Sequence, residues 1–156
     1  MKLYFVRHGH MEEARQKTTV PDNGPVDEPL DYQGLLQAEA VSKELKDVDF
    51  DYMISSPLKR AHQTAEIINE NHNLKIVIEN DLRERETGKY VTLEVWNELF
   101  NFDSNFLPEN TEPLKDFFDR VYTSIDKLKK QYQNKTVLVV SHGGVHQALY
   151  AYVNKV

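Results

Sequence analysis

An apolar run near the start of the chain ends abruptly in Arg-His-Gly. Leu3 to Val6 are apolar, and Arg7, His8 and Gly9 follow them directly. Such a run predicts a buried strand, and a glycine lets the chain turn sharply as it leaves that strand. Because open α/β sheets bind ligands beyond the carboxyl ends of their strands, Arg7 and His8 are predicted to lie where a ligand would bind.

These two side chains suit a phosphoryl group. The guanidinium of Arg7 offers a rigid fork of donors to phosphate oxygens. A neutral imidazole such as that of His8 can attack phosphorus and carry it covalently. The chemistry indicated by this segment is therefore phosphoryl transfer.

A second β-branched run stops in the same way near the other end of the chain. Residues 136–141 are followed by His142, Gly143 and Gly144. If both strands are central and parallel, His8 and His142 lie at the same edge of the sheet. Two histidines that are far apart in sequence would then be neighbours in space.

Residues 51–65 form a third segment of this kind. A short apolar strand is followed by a Ser-Ser-Pro break and then by a helix, with Pro57 at an early position that helices tolerate. Arg60 lies in the first turn of that helix, close to the same edge of the sheet. Free N–H groups and the positive end of the helix dipole favour an anion there.

In these segments the chain resembles the histidine phosphatase superfamily, also called phosphoglycerate mutase-like. Arg-His-Gly at 7–9 looks like its signature, and residues 29–38 are similar to its Pro-Leu-Thr-x-x-Gly-x-x-Gln-Ala stretch. Residues 55–65 match its second block and residues 141–145 its last. Four blocks in the right order form a specific signal. The resemblance implies a three-layer αβα sandwich, with a mainly parallel central sheet and helices on both faces.

The resemblance also implies roles for individual residues. His8 would be the nucleophile that forms a phosphohistidine, and Arg7, Arg60 and His142 would bind the phosphoryl group as charge spreads over its oxygens. We predict no cofactor and no metal for this reaction. Further substrate-binding candidates are Gly9, His10 and Gly143.

A phosphatase also needs an acid that protonates the departing oxygen. Residues 82–88 resemble the family's Leu-x-Glu-x-x-x-Gly segment, which places the proton donor on Glu84. Glu86 is the rival, but the spacing to Gly88 favours Glu84. Glu112 is similar to the glutamate of the family's Gly-Glu-Ser segment and is a weaker candidate.

The chain departs from the family pattern after Arg-His-Gly. The family usually has Glu or Gln, then Thr, and an Asn a few residues on; here these places hold His10, Met11 and Ala14. The missing Asn removes one phosphate donor, worth roughly 1–3 kcal/mol if the bond is charge-assisted. His10 or a water molecule is the candidate replacement.

Composition and net charge limit the kinds of protein that this chain can be. The chain has 156 residues, of which 40% are hydrophobic and 28% charged, as expected for one globular domain. Its net charge of -6 argues against nucleic acid and anionic membranes as partners. Cysteine is absent, which excludes disulfides and thiolate zinc sites. We see no signal peptide and no apolar stretch of membrane length, so a cytoplasmic location is expected.

Strand and helix patterns alternate along the chain, as in a doubly wound α/β fold. We predict strands at 2–6, 52–55, 75–79 and 136–141, and helices at 33–46, 58–71, 113–131 and 145–153. The less regular stretches are interpreted as a loop over the site at 16–28 and a short cap near 90–112. Residues 1–156 are treated as a single domain.

The predicted function is a cofactor-independent phosphatase that acts on a small phosphorylated metabolite or a phosphoprotein side chain. Three alternatives stay open. A phosphoglycerate mutase-type activity is less expected because the cap is short. A metal-dependent hydrolase would use His8, His10, His142 and His146 as ligands. A phospholigand-binding protein without turnover is motivated by the missing Asn.

The natural substrate and the oligomeric state stay open. One further hypothesis concerns cations near the site. Arg83, Arg85 and Lys89 follow the third strand closely. We predict that they grip a second anionic group on the substrate.

Overall fold

A computed structural model describes residues 1–11, 27–87, 97–101, 106–107 and 109–156. Ala14 and nearly all of the predicted loop at 16–28 lie outside these ranges. Residues 90–96, 102–105 and 108 of the predicted cap also lie outside them.

In the described ranges the core of the fold is a parallel sheet of four strands, which confirms the predicted fold class. The strands are β1 (Lys2–Arg7), β2 (Tyr52–Ser55), β3 (Ile76–Ile78) and β4 (Thr136–Ser141), in the order β1-β4-β2-β3. All three pairings are parallel. The predicted strands are confirmed, with β1 one residue longer and β3 one residue shorter at each end.

The helices also agree with the sequence pattern. They are α1 (Tyr32–Leu45), α2 (Lys59–Asn69), α3 (Leu114–Gln131) and α4 (Gly143–Asn154), with a 3₁₀ helix at Asn80–Leu82. α4 begins two residues before its predicted start, because both glycines after His142 join its first turn. Within the described part of the chain, no helix has both the length and the apolar character needed to cross a membrane.

Side chains of the central strand alternate between two hydrophobic cores. Val137 and Val139 of β4 pack in one cluster with α3 and α4. Leu138 and Val140 pack in the other cluster with α2. All four are fully buried, as expected for a parallel strand covered on both faces. The molecule therefore has helices on both sides of its sheet.

The pairing of β1 with β4 positions the candidate site. Arg7 lies opposite Ser141 in the parallel register. His8 and His142 follow these two residues, so they leave neighbouring strands at the same edge of the sheet. The backbone N–H of His8 donates to the carbonyl of Ser141 at 2.9 Å, which extends the pairing one residue past β1.

Candidate active site

The two ring nitrogens of His8 have different partners, which fix its tautomer. Nδ1 lies 2.7 Å from the carbonyl oxygen of Gly9, and Nε of Arg60 lies 3.2 Å from Nε2. Because a carbonyl only accepts and a guanidinium only donates, the proton of the neutral ring sits on Nδ1. Nε2 therefore carries the lone pair, and this is the atom that can act as a nucleophile.

The surroundings of His8 keep its ring neutral. Burial lowers the pKa of His8 to about 4, and the positive charges of Arg60 and Arg7 and the neighbouring His10 act in the same direction. The hydrogen bond to Gly9 opposes this shift. At neutral pH the imidazole is accordingly uncharged, as nucleophilic attack requires.

His142 lies beside His8 and is fully buried at the start of α4. The two ring centroids are 5.1 Å apart. Nε2 of His142 lies 2.7 Å from the hydroxyl oxygen of Ser56, and that oxygen also accepts the backbone N–H of Leu58 at 3.3 Å. Nδ1 of His142 is buried and has no hydrogen-bond partner among the described residues.

The Ser56 contact occupies Nε2 of His142 and leaves Nδ1 as the ring nitrogen that can meet a ligand. If the Ser56 hydroxyl, already an acceptor from Leu58, donates its own proton to Nε2, the ring proton of His142 sits on Nδ1. Burial lowers the pKa of His142 well below its usual range, which keeps the ring neutral. Its Nδ1–H is then a buried donor suited to an oxygen of a bound phosphoryl group.

Two arginines bring positive charge to the same edge. Arg60, in the first turn of α2, is only 5% exposed. Burial lowers the pKa of Arg60, while the nearby carboxylates of Glu84 and Asp27 oppose the shift. Arg7 ends β1 and is exposed, and its guanidinium lies over Gly143, where an added Cβ would be 3.5 Å from Cζ of the arginine. The arrangement is suited to a dianionic ligand.

The carboxyl group of Glu84 lies against the first turn of α4, at the same edge of the sheet. Its Oε2 accepts the backbone N–H of Gly144 at 3.1 Å, and its Oε1 accepts that of Arg85 at 3.0 Å. Burial raises the pKa of Glu84, and this outweighs the two amides and the nearby arginine charges. The rival Glu86 pairs with Arg83 at 3.3 Å, and its side chain is 42% exposed.

The other predicted carboxylate is engaged elsewhere. Oε1 of Glu112 lies 2.6 Å from Nε of Arg120, and Oε2 lies 2.9 Å from a terminal nitrogen of the same guanidinium. Glu112 is therefore committed to an ion pair on the far side of the Glu84 loop.

Arg83 and Arg85, which are predicted to grip a second anionic group, both have partners within the protein, and that role stays a prediction. Arg85 is buried, and it donates to the carbonyls of Glu112 and Leu99. Arg83 pairs with acidic side chains of its own loop and with the carbonyl of Asn80. Lys89 lies outside the described residues.

His10 is held at the mouth of the site. Its Nδ1 pairs with the carboxylate of Asp31, the residue that caps α1, and its backbone N–H donates to Gln37 at 2.7 Å. An added Cβ on Gly34 would lie 1.9 Å from the carbonyl oxygen of His10, and one on Gly9 would lie 2.4 Å from the carbonyl oxygen of Gly34. Two glycines thus let the loop after β1 press against α1.

The histidines proposed as metal ligands have other neighbours. The ring of His146 packs on Phe5, with centroids 5.4 Å apart. His10 is bonded to Asp31. In the parts of the chain that the structure describes, no group of three His, Asp or Glu side chains could hold a metal ion.

Sequence reasoning missed several residues that support the site. The buried hydroxyl of Thr64 accepts the N–H of Gly9 at 3.2 Å and donates to the carbonyl of Arg60 at 2.8 Å. Ser56 orients His142. Both residues lie inside the block at 55–65, so the block itself was the available signal. Arg120 lies outside the four matched blocks, so the sequence offered no signal for its role.

Comparison with known proteins identifies related chains. The family model described as histidine phosphatase superfamily (branch 1) matches residues 3–156. A relative from Bacillus subtilis (strain 168), called uncharacterized phosphatase PhoE, is 37% identical over 145 residues. That alignment covers 93% of this chain and 73% of the relative.

Two further comparisons agree. Phosphoserine phosphatase 1 of Hydrogenobacter thermophilus is 29% identical over 160 residues, with 96% of this chain and 74% of the relative covered. The crystal structure of the alpha-ribazole phosphatase from Shigella flexneri superposes with a TM-score of 0.78 at 27% identity. This superposition covers 98% of this chain and 79% of that one.

Proposed function

Because the chain belongs to the histidine phosphatase superfamily (branch 1), we propose that it hydrolyses a phosphomonoester through a covalent phosphohistidine on His8. The observation that carries the proposal is the lone pair on Nε2 of His8. It faces Arg60 at 3.2 Å, next to the buried ring of His142. A neutral nucleophile surrounded by donors is the arrangement that phosphoryl transfer needs.

In the first step, Nε2 of His8 attacks phosphorus, and the bond from phosphorus to the ester oxygen breaks. The three remaining oxygens are held by Arg7, Arg60 and Nδ1–H of His142. Glu84 gives its proton to the departing oxygen, so that an alcohol leaves rather than an alkoxide. Its raised pKa supports this role.

In the second step, water attacks the phosphohistidine. Glu84, now a carboxylate, takes a proton from that water as the new oxygen–phosphorus bond forms. The phosphorus–nitrogen bond breaks, its electron pair returns to Nε2 of His8, and inorganic phosphate leaves. The proton taken from water returns Glu84 to its acid form, so the starting state is restored. The residues named supply every group that these steps use, so no cofactor is part of the proposal.

The proposed substrate is a small phosphorylated metabolite. Support comes from relatives whose names include phosphoserine phosphatase and alpha-ribazole phosphatase. The net charge of -6 disfavours polyanionic partners such as nucleic acid. A phosphoprotein side chain is the second candidate, and it would be favoured if a phosphoserine peptide were hydrolysed with a higher kcat/KM than free phosphoserine.

The test is hydrolysis of p-nitrophenyl phosphate and phosphoserine by wild type and His8→Ala, each with and without EDTA. His62→Ala is the matched control, because His62 lies on α2 and pairs with Glu66. We expect EDTA-resistant activity that His8→Ala lowers at least about 1,000-fold and that His62→Ala leaves unchanged.

Rapid quenching should trap an acid-labile phosphoenzyme in wild type and none in His8→Ala. Activity that EDTA abolishes would contradict the proposal and favour a metal-dependent hydrolase. Phosphate binding without turnover of any monoester would favour a binding protein. Transfer of the phosphoryl group to a phosphoglycerate in place of water would favour a mutase.

A further inference from the structure

The loop that carries Glu84 is held by one arginine from α3. Arg120 donates from Nη1 to the carbonyls of Asp81 at 2.6 Å and Arg83 at 3.0 Å, and from Nη2 to the carbonyl of Glu84 at 3.2 Å. Three carbonyls of a short loop thus converge on one guanidinium. The position of the Glu84 backbone is therefore set by a side chain that lies 36 residues later in sequence.

Glu112 fixes that guanidinium from the other side. Both of its carboxylate oxygens bond to Arg120, and the two side chains are only 14% and 12% exposed. A two-point arginine–carboxylate pair fixes orientation as well as charge. The ring of Phe117 lies below the guanidinium, with its centroid 4.7 Å from Cζ. Arg120 consequently has little freedom to turn away from the loop.

The backbone around Glu112 is tied to the same loop. Its N–H donates to the carbonyl of Glu86 at 2.8 Å, and its carbonyl accepts Nε of Arg85 at 2.8 Å. Thr111 donates from its hydroxyl to the carbonyl of Thr87 at 3.0 Å. The segment before α3 and the Glu84 loop are therefore joined by both backbone and side-chain hydrogen bonds.

We propose that the Glu112–Arg120 pair is a positioning device that aims the carboxyl group of Glu84 at the departing oxygen. The inference rests on the proposed function and deepens it by assigning the residues that place the proton donor. Among the described residues, the hydrogen bonds of Arg120 and Glu112 join the two side chains to each other and to the Glu84 loop and not to His8 or His142, so the pair is placed to act through Glu84. Their effect is expected on protonation of the leaving group and not on attack by His8.

Leaving groups of different basicity separate these two effects. p-Nitrophenolate leaves readily without a proton, whereas an alkoxide such as that of glycerol 2-phosphate needs the acid. The variants are Arg120→Lys and Glu112→Gln, compared with Glu84→Gln. Asp51→Asn is the control, because Asp51 pairs with Lys135 at 3.3 Å at the opposite edge of the sheet.

Glu84→Gln is expected to lower kcat/KM for glycerol 2-phosphate about 100-fold or more and that for p-nitrophenyl phosphate less than about 10-fold. Arg120→Lys and Glu112→Gln should also lower kcat/KM more for glycerol 2-phosphate than for p-nitrophenyl phosphate, by smaller factors. This difference between the two substrates is called the split below. Since all three act through one carboxyl group, the double variant Arg120→Lys/Glu84→Gln should be no slower than Glu84→Gln alone. Asp51→Asn should show no split.

Equal losses on both substrates in Arg120→Lys and Glu112→Gln would overturn the inference, as would a double variant whose losses multiply. Glu112→Gln keeps the side-chain volume and serves if Arg120→Lys does not fold. A Glu84→Gln enzyme without any split would instead show that Glu84 is not the proton donor. That result removes the acid from the proposed function itself, so the two failures are distinguishable.

Discussion

Nε of Arg60 donates to Nε2 of His8 across 3.2 Å, so a cationic side chain holds the lone pair that attacks phosphorus in the proposed reaction. Attack requires this bond to be exchanged for one between the guanidinium and a phosphate oxygen. A charge-assisted bond to phosphate is stronger than one to a neutral ring. When the Arg60 guanidinium binds a phosphate oxygen, it gives up its hydrogen bond to Nε2 of His8. Substrate binding at Arg60 therefore also frees the nucleophile.

Replacement of Arg60 by Met should impair transition-state binding and shift the acidic limb of the pH profile. We expect kcat/KM to fall about 100- to 1,000-fold through the loss of a charged donor. Burial is the largest cause of the low pKa of His8, and the Arg60 charge adds to it. Without that charge the acidic limb should move to higher pH but stay below 6.5. Lys59→Met, an exposed neighbour on α2, should change neither.

The wild-type enzyme should keep its kcat/KM at lower pH than a nucleophilic histidine with an ordinary pKa would allow. His8 is active when neutral, so kcat/KM should rise with pH through about 4 and then level. Glu84 is active when protonated, so the rate should fall as its raised pKa is passed. Glu84→Gln should lose this basic limb on glycerol 2-phosphate while the acidic limb remains. A wild-type limb near 6.5 would contradict the assignment of His8.

Stability should depend on His8 between pH 4 and 6.5. The pKa of His8 is about 4 in the fold and about 6.5 when the chain is unfolded, so the unfolded state binds more protons in this window. The free energy of unfolding should therefore fall as pH falls from 6.5 to 4, by on the order of 3 kcal/mol from this residue. Urea unfolding at pH 7 and 4.5 should show a smaller loss for His8→Gln than for wild type. Equal losses would contradict this.

Two adjacent glycines at the start of α4 provide a sharp comparison. An added Cβ on Gly144 would lie 2.3 Å from Oε1 of Glu84 and 2.8 Å from Cζ of Phe100, so the carboxyl group has to move. One on Gly143 would lie at an ordinary 3.5 Å from Arg7. Gly144→Ala should lower kcat/KM about 10- to 100-fold for glycerol 2-phosphate and less for p-nitrophenyl phosphate. Gly143→Ala should stay within a few-fold of wild type on both substrates.

Ser56 and Ser55 are neighbouring buried serines with different contacts. Ser56 bonds to Nε2 of His142, whereas the Ser55 hydroxyl donates to the backbone carbonyl of Ser56. Ser56→Ala frees Nε2 to carry the proton, so Nδ1 loses its donor role. We expect weaker inhibition by vanadate and a lower kcat, together with changed ¹⁵N shifts of the His142 ring. If Ser55→Ala gave the same shifts and kinetics, the tautomer assignment would be wrong.

The sheet and its active edge were predictable because they depend on local patterns. Apolar runs that end in His-Gly mark both β1 and β4, and period-3.6 apolar positions such as Phe117 and Val121 mark α3. Parallel pairing then brings the strand ends together without further information. This is why His8 and His142 could be placed on one edge from sequence.

The supporting contacts were not predictable, because they depend on which way a polar side chain turns. Arg85 and Arg120 look like surface cations in the sequence, yet each donates to backbone carbonyls inside the fold. Gly34 faces the loop after β1 at a distance that no local pattern specifies. Periodicity gives the face of an element but not the partner across from it.

The central position of β4 has a consequence for synthesis of the protein. β4 lies between β1 and β2 but follows both in the chain by more than eighty residues. A nascent chain that stops before Thr136 has strands with unpaired edges and lacks His142, the ring that lies beside His8. Such edges are prone to pair with other chains. Catalytic competence and protection from aggregation thus arrive together, when the last strand inserts.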